Sequence, residues 1–179
     1  MGERYTEINE KQMDFIKKQH MFFVGTATED SRINISPKGM DAFRVLDKNR
    51  VLWLNVTGSG NETAAHVQHN DRMTIMFCAF EGAPNILRLY GHAKIIQPHN
   101  ANWQEHYALF GAFEGARQIF DMHVDLVQTS CGFGVPLFDY KEERGTLHTW
   151  ATKKGEAGIH DYWQEKNAVS LDGKPIKIG

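Results

Sequence analysis

A run of small and polar residues, TGSGNET at positions 57–63 (the glycine turn), directly follows the apolar segment VLWLNV at 51–56. Ser59 and Glu62 have the S-x-x-E spacing of a capping box, which predicts a short helix with Ser59 as its N-cap and Glu62 at its third position. Backbone N–H groups are free at a helix N-terminus, and the helix dipole makes that end positive. The turn is therefore suited to an anion, above all a phosphate.

Two interpretations of the glycine turn stay open from its residues alone. In the first, small side chains let a phosphate approach the backbone, and Ser59, Asn61 and Thr63 add hydrogen bonds. In the second, the segment is only a well-capped helix, which is far commoner than a phosphate site. The turn is neither a P-loop nor a dinucleotide fingerprint, because no G-K-[ST] follows and the third glycine is missing.

A second polar cluster, NISPKG, occupies positions 34–39. Asn34, Ser36 and Lys38 alternate along an extended stretch, so they share one face of a strand. If that face points inward, the polar side chains need partners, and a bound ligand can supply them. A solvated outer face is the commoner alternative. Lys38 is a candidate cation for a phosphate or for the electron-rich edge of a flavin.

The histidines and cysteines predict no metal site and no catalytic nucleophile. His66 and His69 lie one helical turn apart with Asp71 close behind, but the Glu and the third ligand of known zinc helices are missing. We therefore expect both histidines on the surface of a short helix. Cys131, which precedes Gly132, is expected to be a small buried residue rather than a reactive thiol.

The composition predicts one globular domain over residues 1–179. Hydrophobic residues make up 41% of the chain, and the net charge is −2 with both signs interspersed, which argues against nucleic acid as a partner. The longest apolar stretches have the length of strands, which argues against a membrane span. The polar first ten residues do not resemble a secretory signal, and Cys78 and Cys131 form no disulfide framework, so we expect a cytoplasmic protein.

The apolar periodicity predicts a mainly β chain with helices at its ends. We expect an amphipathic helix at about 8–19, a helix at 100–110, and a C-terminal helical segment at about 140–168 that contains helices at 143–154 and 158–168. The predicted strands are 22–28, 32–38, 51–56, 73–80, 86–97 and 124–130. Six strands joined mainly by hairpins indicate an antiparallel β-barrel with attached helices.

Several of these segments together resemble the pyridoxamine 5′-phosphate oxidase-like family, the FMN-binding split barrels. The matching features are S-P-K-G at 36–39, T-G-S-G-N-E-T at 57–63, N-D-R-M-T-I-M-F at 70–77 and R-L-Y-G at 88–91. The later Q-T-S-C-G-F-G-V-P stretch and the helix around Trp150 resemble one branch of that family. The likeness extends over about residues 20–170, and it rests on the order of the motifs rather than on any single one.

The resemblance implies a homodimer of six-stranded, Greek-key split barrels that holds two FMN molecules at the subunit interface. Asn34 and Ser36 would line the flavin, and Lys38 would lie near its ring or its phosphate. The glycine turn would hold the ribityl phosphate through its hydroxyl and amide side chains. The FMN-binding residues implied in this way are Asn34, Ser36, Lys38, Thr57, Gly58, Ser59, Gly60, Asn61, Thr63, Arg88, Cys131 and Trp150.

The last three residues of that set have alternative roles. Arg88, on the strand before Gly91, is a candidate phosphate or interface partner, and a surface ion pair is an equal alternative. Cys131 and Trp150 would approach the ring from the facing subunit, although core packing explains Trp150 equally well.

The sequence also departs from the oxidases that act on vitamin B6. Their first flavin strand is basic, of R-x-V-L-L-K type, whereas this strand reads INISPK. They end in an R-x-H segment that grips the vitamin phosphate, and the ending KNAVSLDGKPIKIG lacks it. These departures predict a dimeric FMN-dependent oxidoreductase with an unassigned small-molecule substrate. The alternatives are a flavin-binding protein without turnover, or a haem- or deazaflavin-handling enzyme on the same fold.

Overall fold

The computed structural model describes residues 2–178, which form one antiparallel sheet of eight strands with four flanking helices. The strands are β1 (Arg4–Tyr5), β2 (Phe22–Thr26), β3 (Asn34–Lys38), β4 (Phe43–Asp47), β5 (Arg50–Val56), β6 (Arg72–Cys78), β7 (Ile86–Ile96) and β8 (Ala116–Ser130). The helices are α1 (Glu10–Lys17), α2 (Glu62–Val67), α3 (Trp103–Tyr107) and α4 (Thr146–Lys166).

The strands follow the order β3-β2-β6-β7-β8-β5-β4, with β1 paired to β8. Strands β3 and β4 are therefore the two edges of the sheet, and residues 39–42 connect them. The sheet stays open between these edges, as in a split barrel. This mainly β, antiparallel architecture with flanking helices confirms the predicted fold class, although the sheet has eight strands rather than six.

The extra strands come from segments with weak local signals. β1 has only two residues, and β4 pairs with β5 across a tight connection at 48–49. β8 begins at Ala116, eight residues before the predicted strand at 124–130, because its first half pairs with β5 on one side and β7 on the other. Backbone pairing on both sides makes ARQIFDMH a strand although several of its residues are polar. The helix predicted at 100–110 is shorter than expected and covers only α3.

The core is built from inward-facing rows that run across the strands. Val24, Ile75, Leu89 and Val127 are cross-strand neighbours on β2, β6, β7 and β8, and all four are fully buried. Aromatic rings fill the next layer, where Trp53 stacks on Phe120 with ring centroids 4.7 Å apart. Such rows arise because alternate residues of a strand point to the same face.

The β2–β3 hairpin fixes which side chains of β3 point inward. Asn34, Ser36 and Lys38 pair with Thr26, Val24 and Phe22, whose side chains are buried in the barrel. Ile35, between them, is exposed. The prediction that Asn34, Ser36 and Lys38 share one face is therefore confirmed, and that face is the inner one. We call these three residues the inner row.

The terminal helices pack on the outside of the sheet. α1 begins after Asn9, whose side chain and that of Gln12 form a capping box. α4 contains both predicted C-terminal helices, separated by a break at Gly155, and it buries Ala151, Ile159 and Trp163. Among residues 2–178, no helix combines the length and the apolar character needed to cross a membrane.

Candidate functional site

The glycine turn is held in place by Gly115, just before β8, and by residues at the end of α4 and just after it. Thr57 Oγ1 donates to the Gly115 carbonyl over 2.7 Å and accepts from Trp163 Nε1 over 2.8 Å. Asn167 Nδ2 donates to the Gly58 carbonyl over 3.2 Å. The carbonyl side of the turn is thus occupied by protein donors.

The predicted capping box is wrong. α2 begins at Glu62 with Asn61 as its N-cap, and Ser59 is exposed two residues before it. The Glu62 carboxylate accepts a hydrogen bond from the Leu171 backbone N–H (3.0 Å), and Asn61 Oδ1 accepts one from Gln118 Nε2 (2.7 Å). Both groups are therefore engaged by distant parts of the chain, which the local S-x-x-E pattern does not reveal.

The N–H side of the glycine turn remains open. Within residues 2–178, the backbone N–H groups of 58–63 make no hydrogen bond to a backbone or side-chain acceptor. A Cβ built on Gly58 would meet its nearest atom at 4.0 Å, and one on Gly60 at 3.8 Å. The turn therefore leaves room for a ligand with acceptor oxygens, although its capping differs from the prediction.

The inner row meets this turn across the end of the barrel. Asn34 Nδ2 donates to Thr63 Oγ1 over 3.3 Å, which links β3 to α2. Ser36 Oγ is buried and has no partner in the described part of the chain. Lys38 Nζ lies 5.1 Å from the centre of the Trp53 ring, a cation–π contact. The structure thus brings together two segments that were separate candidates in the sequence.

Lys38 carries a perturbed ammonium group. Burial disfavours the charged form and, together with the positive charge of Arg117, lowers the pKa of Lys38 to about 8. No carboxylate of residues 2–178 forms an ion pair with this ammonium. The group is therefore a cation that lacks a protein counter-ion.

Arg117 is a second cation of this kind, and it is only 2% exposed. One terminal nitrogen donates to the Gly60 carbonyl over 3.1 Å, and the other donates to Asn167 Oδ1. Its Nε has no partner, and burial lowers the pKa of Arg117 to about 10. In the part of the chain that the structure covers, Arg117 forms no ion pair. Uncompensated charges away from water are costly, so the buried Arg117 under the turn and the half-buried Lys38, whose charge senses Arg117, together indicate an anion site.

Sequence reasoning missed Arg117 because its segment was not assigned to a strand. The available signal was an arginine inside the run ARQIF at 116–120, since a charged residue among strand-forming apolar residues is either exposed or paired. Only the pairing of β8 with β5 shows that this arginine lies beneath the glycine turn.

His66 corrects another expectation. It was expected on the surface, but it is 1% exposed and its Nδ1 lies 3.1 Å from Thr26 Oγ1. The inner face of α2 packs against β2, which explains the burial. His66 Nε2 has no hydrogen-bond partner within residues 2–178. His69, one turn later, is exposed as predicted.

Comparisons with known proteins agree with this architecture. Residues 8–131 match the sequence model of the family described as pyridoxamine 5′-phosphate oxidase. The chain is also 32% identical over 191 residues to the pyridoxamine 5′-phosphate oxidase family protein ustO of Aspergillus flavus, with 96% of this chain and 76% of ustO covered. The chain belongs to the pyridoxamine 5′-phosphate oxidase family.

Solved structures show the same fold at lower identity. HupZ of Group A Streptococcus superposes with a TM-score of 0.55 and 23% identity, covering 66% of this chain and 91% of HupZ. HutZ, the haem storage protein of Vibrio cholerae, superposes with a TM-score of 0.51 and 15% identity, covering 66% of this chain and 92% of HutZ. At these identities the likeness concerns the fold of this family member and not its ligand.

The other three candidate residues lie away from the glycine turn. Arg88 is on the outer face of β7 and donates to Ser130 Oγ over 3.1 Å. Cys131, at the end of β8, is exposed, so the expectation of a buried cysteine is wrong. Trp150 is half-buried in α4 and packs edge-on against Tyr162, with ring centroids 5.1 Å apart. Within residues 2–178, none of the three hydrogen-bonds to the glycine turn.

Proposed function

We propose that this protein binds FMN and is an FMN-dependent oxidoreductase, with the flavin phosphate held between the glycine turn, Lys38 and Arg117. The observation that carries the proposal is a buried arginine, Arg117, that bonds a turn whose N–H groups are free and has no carboxylate partner, with the unpaired, half-buried Lys38 within reach of its charge. A phosphate supplies the missing negative charge and only acceptor oxygens.

The unpaired atoms of the site fit such a ligand. Ser36 Oγ, Asn61 Nδ2 and Arg117 Nε are buried without partners in residues 2–178, and each can donate a hydrogen bond. Unpaired buried donors cost free energy, which a phosphate or ribityl oxygen would recover. The proximity of Arg117 favours the phosphate over the ring as the partner of Lys38.

FMN, when bound, supplies electron and hydride transfer at its ring. The protein groups described here would hold the phosphate, orient the cofactor and exclude water from its anchored end. None of them is assigned to the substrate, and vitamin B6 is disfavoured because the strand at 33–38 reads INISPK rather than the basic R-x-V-L-L-K type. The substrate remains an unassigned small molecule.

We also propose that the active form is a homodimer that uses the outer face of β3, β2, β6 and β7. Ile33 and Ile35 are 75% and 68% exposed there, beside a groove that Phe23, Met76 and Tyr90 line. Arg88 follows Met76 in the same outward row. Such a dimer would explain why Arg88 lies far from the glycine turn of its own chain, because it would serve the partner's flavin.

The decisive experiment compares ligands that differ only in the phosphate. Flavin-free protein is titrated with FMN and with riboflavin, and flavin fluorescence is measured. We expect FMN to bind at least about a hundred-fold more tightly, because charge-assisted hydrogen bonds to the phosphate contribute roughly 1.5–3 kcal/mol each. Equal affinities for FMN and riboflavin would show that the site does not bind the phosphate.

Two further measurements separate the alternatives. The absorption spectrum of the purified protein, with mass identification of material released by heat, distinguishes a flavin from haem. Reduction by NADH or NADPH followed by reoxidation in air distinguishes an oxidoreductase from a flavin-binding protein without turnover. A colourless protein that takes up haem but not FMN would contradict the proposal.

A further inference from the structure

A second cavity lies outside the barrel, between α3, the segment at 113–116 and α4. Its volume is about 690 Å³, which is within the range of small-ligand sites. Neither Lys38 nor Arg117 lines it. It is therefore separate from the proposed flavin site, and an argument about its ligand does not rest on FMN binding.

Aromatic rings form much of the wall of this cavity. Trp103 and Tyr107 of α3 stack with centroids 5.2 Å apart, and Phe113 and Trp163 complete the wall. Tyr107 Oη accepts from the Phe113 backbone N–H over 2.8 Å and donates to the Phe113 carbonyl over 3.1 Å. Trp163 is tied to the glycine turn through Thr57. The rings are therefore held in position before any ligand arrives.

The charged groups that line the cavity are acidic. Glu114 and Glu156 belong to the lining, and among residues 2–178 no lysine or arginine does. Glu114 is paired with His148, with 3.1 Å between the carboxylate oxygen and Nδ1. Glu156 forms no ion pair within the described chain. His160 and the Tyr107 phenol are the other titratable groups of the lining. A wall of aromatic rings with a carboxylate that has no ion pair favours a cation.

The break in α4 shapes this cavity. Gly155 has φ 66° and ψ 170°, a backbone conformation that is essentially restricted to glycine. A Cβ at this position would meet no atom within 4 Å, so the positive φ, and not crowding, is what would disfavour another residue there. The break lets Ala151 from the first half of α4 and Ile159 from the second half line the same space. The helix thus bends around the cavity.

We propose that this cavity binds a small organic cation of the quaternary ammonium type. The aromatic rings contact its methyl groups, and Glu156 provides the opposite charge. A neutral apolar ligand of the same shape would have the ring contacts but not the electrostatic attraction. An anion is disfavoured by both carboxylates.

The test uses choline and its uncharged carbon isostere, 3,3-dimethylbutan-1-ol, with isothermal titration calorimetry and the indole N–H signals of the tryptophans. We expect choline to shift the Trp103 and Trp163 signals and to bind at least about five-fold more tightly than the isostere, as cation–π contacts allow. Equal affinity of the two compounds, or absence of choline binding, overturns the proposal.

Two variants and a control locate the site. Glu156→Gln should weaken choline binding by about three-fold or more without changing the affinity of the isostere. Phe113→Leu should weaken choline more than the isostere, because leucine keeps the apolar contact but loses the cation–π contact. Glu165→Gln makes the same charge change on α4, at a carboxylate that already pairs with Lys166, and should leave the affinity unchanged. Equal losses in Glu156→Gln and Glu165→Gln would mean a general charge effect and contradict the proposal. All variants should retain FMN affinity, so the two proposals succeed or fail separately.

Discussion

Lys38 and Arg117 are the residues through which the candidate site differs most from an ordinary barrel interior. A buried cation is normally paired, because transfer of a charge out of water is costly. Here the two cations lie near one another, and each is compensated only by neutral groups. A protein that keeps such groups sacrifices stability, and perturbed pKa values of this kind are concentrated at functional sites.

Replacement of Lys38 by methionine tests whether this lysine lowers the stability of the flavin-free protein and raises its affinity for FMN. Lys38→Met removes a half-buried charge and keeps most of the apolar stem. We expect FMN affinity to fall about ten- to a hundred-fold, while the flavin-free protein becomes no less stable. Fluorescence titration and urea unfolding measure the two effects.

Lys48→Met is the matched control, because Lys48 is exposed and pairs with Glu7. It should change neither quantity appreciably. Unchanged FMN affinity in Lys38→Met would exclude Lys38 from the site.

The pKa of Lys38 also predicts a pH dependence. An unfolded lysine has a pKa of about 10.4, whereas burial lowers the pKa of Lys38 in the folded protein to about 8. Between these values the unfolded chain holds a proton that the folded chain has released, so the free energy of unfolding rises with pH. Below about pH 8 the desolvated Lys38 ammonium destabilises the flavin-free fold in full.

The measurement compares flavin-free wild type with Lys38→Met from pH 7 to pH 10. Wild type should gain stability relative to the variant as the pH rises above about 8. Other titrating groups, Arg117 among them, are present in both proteins, so their contributions largely cancel in the difference between the two free energies of unfolding. A stability difference that stays constant over this range would show that Lys38 titrates normally.

At the scale of elements, the β7–β8 pair forms the centre of the sheet. Gly91 of β7 lies very close to the backbone of β8. The register shifts between Tyr90 and Gly91. A Cβ on Gly91 would lie 1.9 Å from the His123 carbonyl oxygen and 3.0 Å from Val124 Cα, both backbone atoms. The two strands can pair at this bulge only because residue 91 has no side chain.

Gly91→Ala should therefore destabilise the protein by at least about 3 kcal/mol or prevent soluble expression, since backbone atoms of β8 must move. Gly134→Ala is the control, because a Cβ there would meet no atom within 4 Å, and its effect should stay within about 0.5 kcal/mol. Thermal unfolding measures both. A Gly91→Ala protein as stable as the control would mean that the bulge can relax.

At the scale of the whole molecule, the outer face of β3 is the proposed meeting surface of two chains. Ile35 projects from this edge strand to solvent while Asn34 and Ser36 point inward. Ile35→Glu should therefore leave the barrel folded but convert a dimer into a monomer, because a charge would be buried at the interface. Light scattering after size-exclusion chromatography measures the mass.

The flavin site connects this prediction to function. FMN affinity should fall together with the dimer if the partner's Arg88 completes the site. Leu109→Glu, at another exposed apolar residue that does not contact the glycine turn, should change neither mass nor affinity. An Ile35→Glu protein that remains dimeric would place the interface elsewhere.

Local sequence patterns were sufficient for the hairpins and for the common face of the inner row, but the inward direction of that face came from the pairing with β2. Asn34, Ser36 and Lys38 alternate, and a strand has a period of two, so their common face follows from the spacing alone. The turn residues between β2 and β3, and between β6 and β7, define the pairing because turn chemistry acts over a few residues. The order of motifs was sufficient for the family.

Tertiary contacts decided where α2 begins and which polar side chains are buried. Glu62 accepts from Leu171, 109 residues away, so α2 starts without the capping box that its own sequence favours. Arg117 reaches the Gly60 carbonyl, and His66 is buried against Thr26. The sequence determined which side chains each strand and turn can present, because backbone periodicity is local. Which charges are buried, and whether they find partners, depends on distant segments that cover them, and only the folded chain decides that.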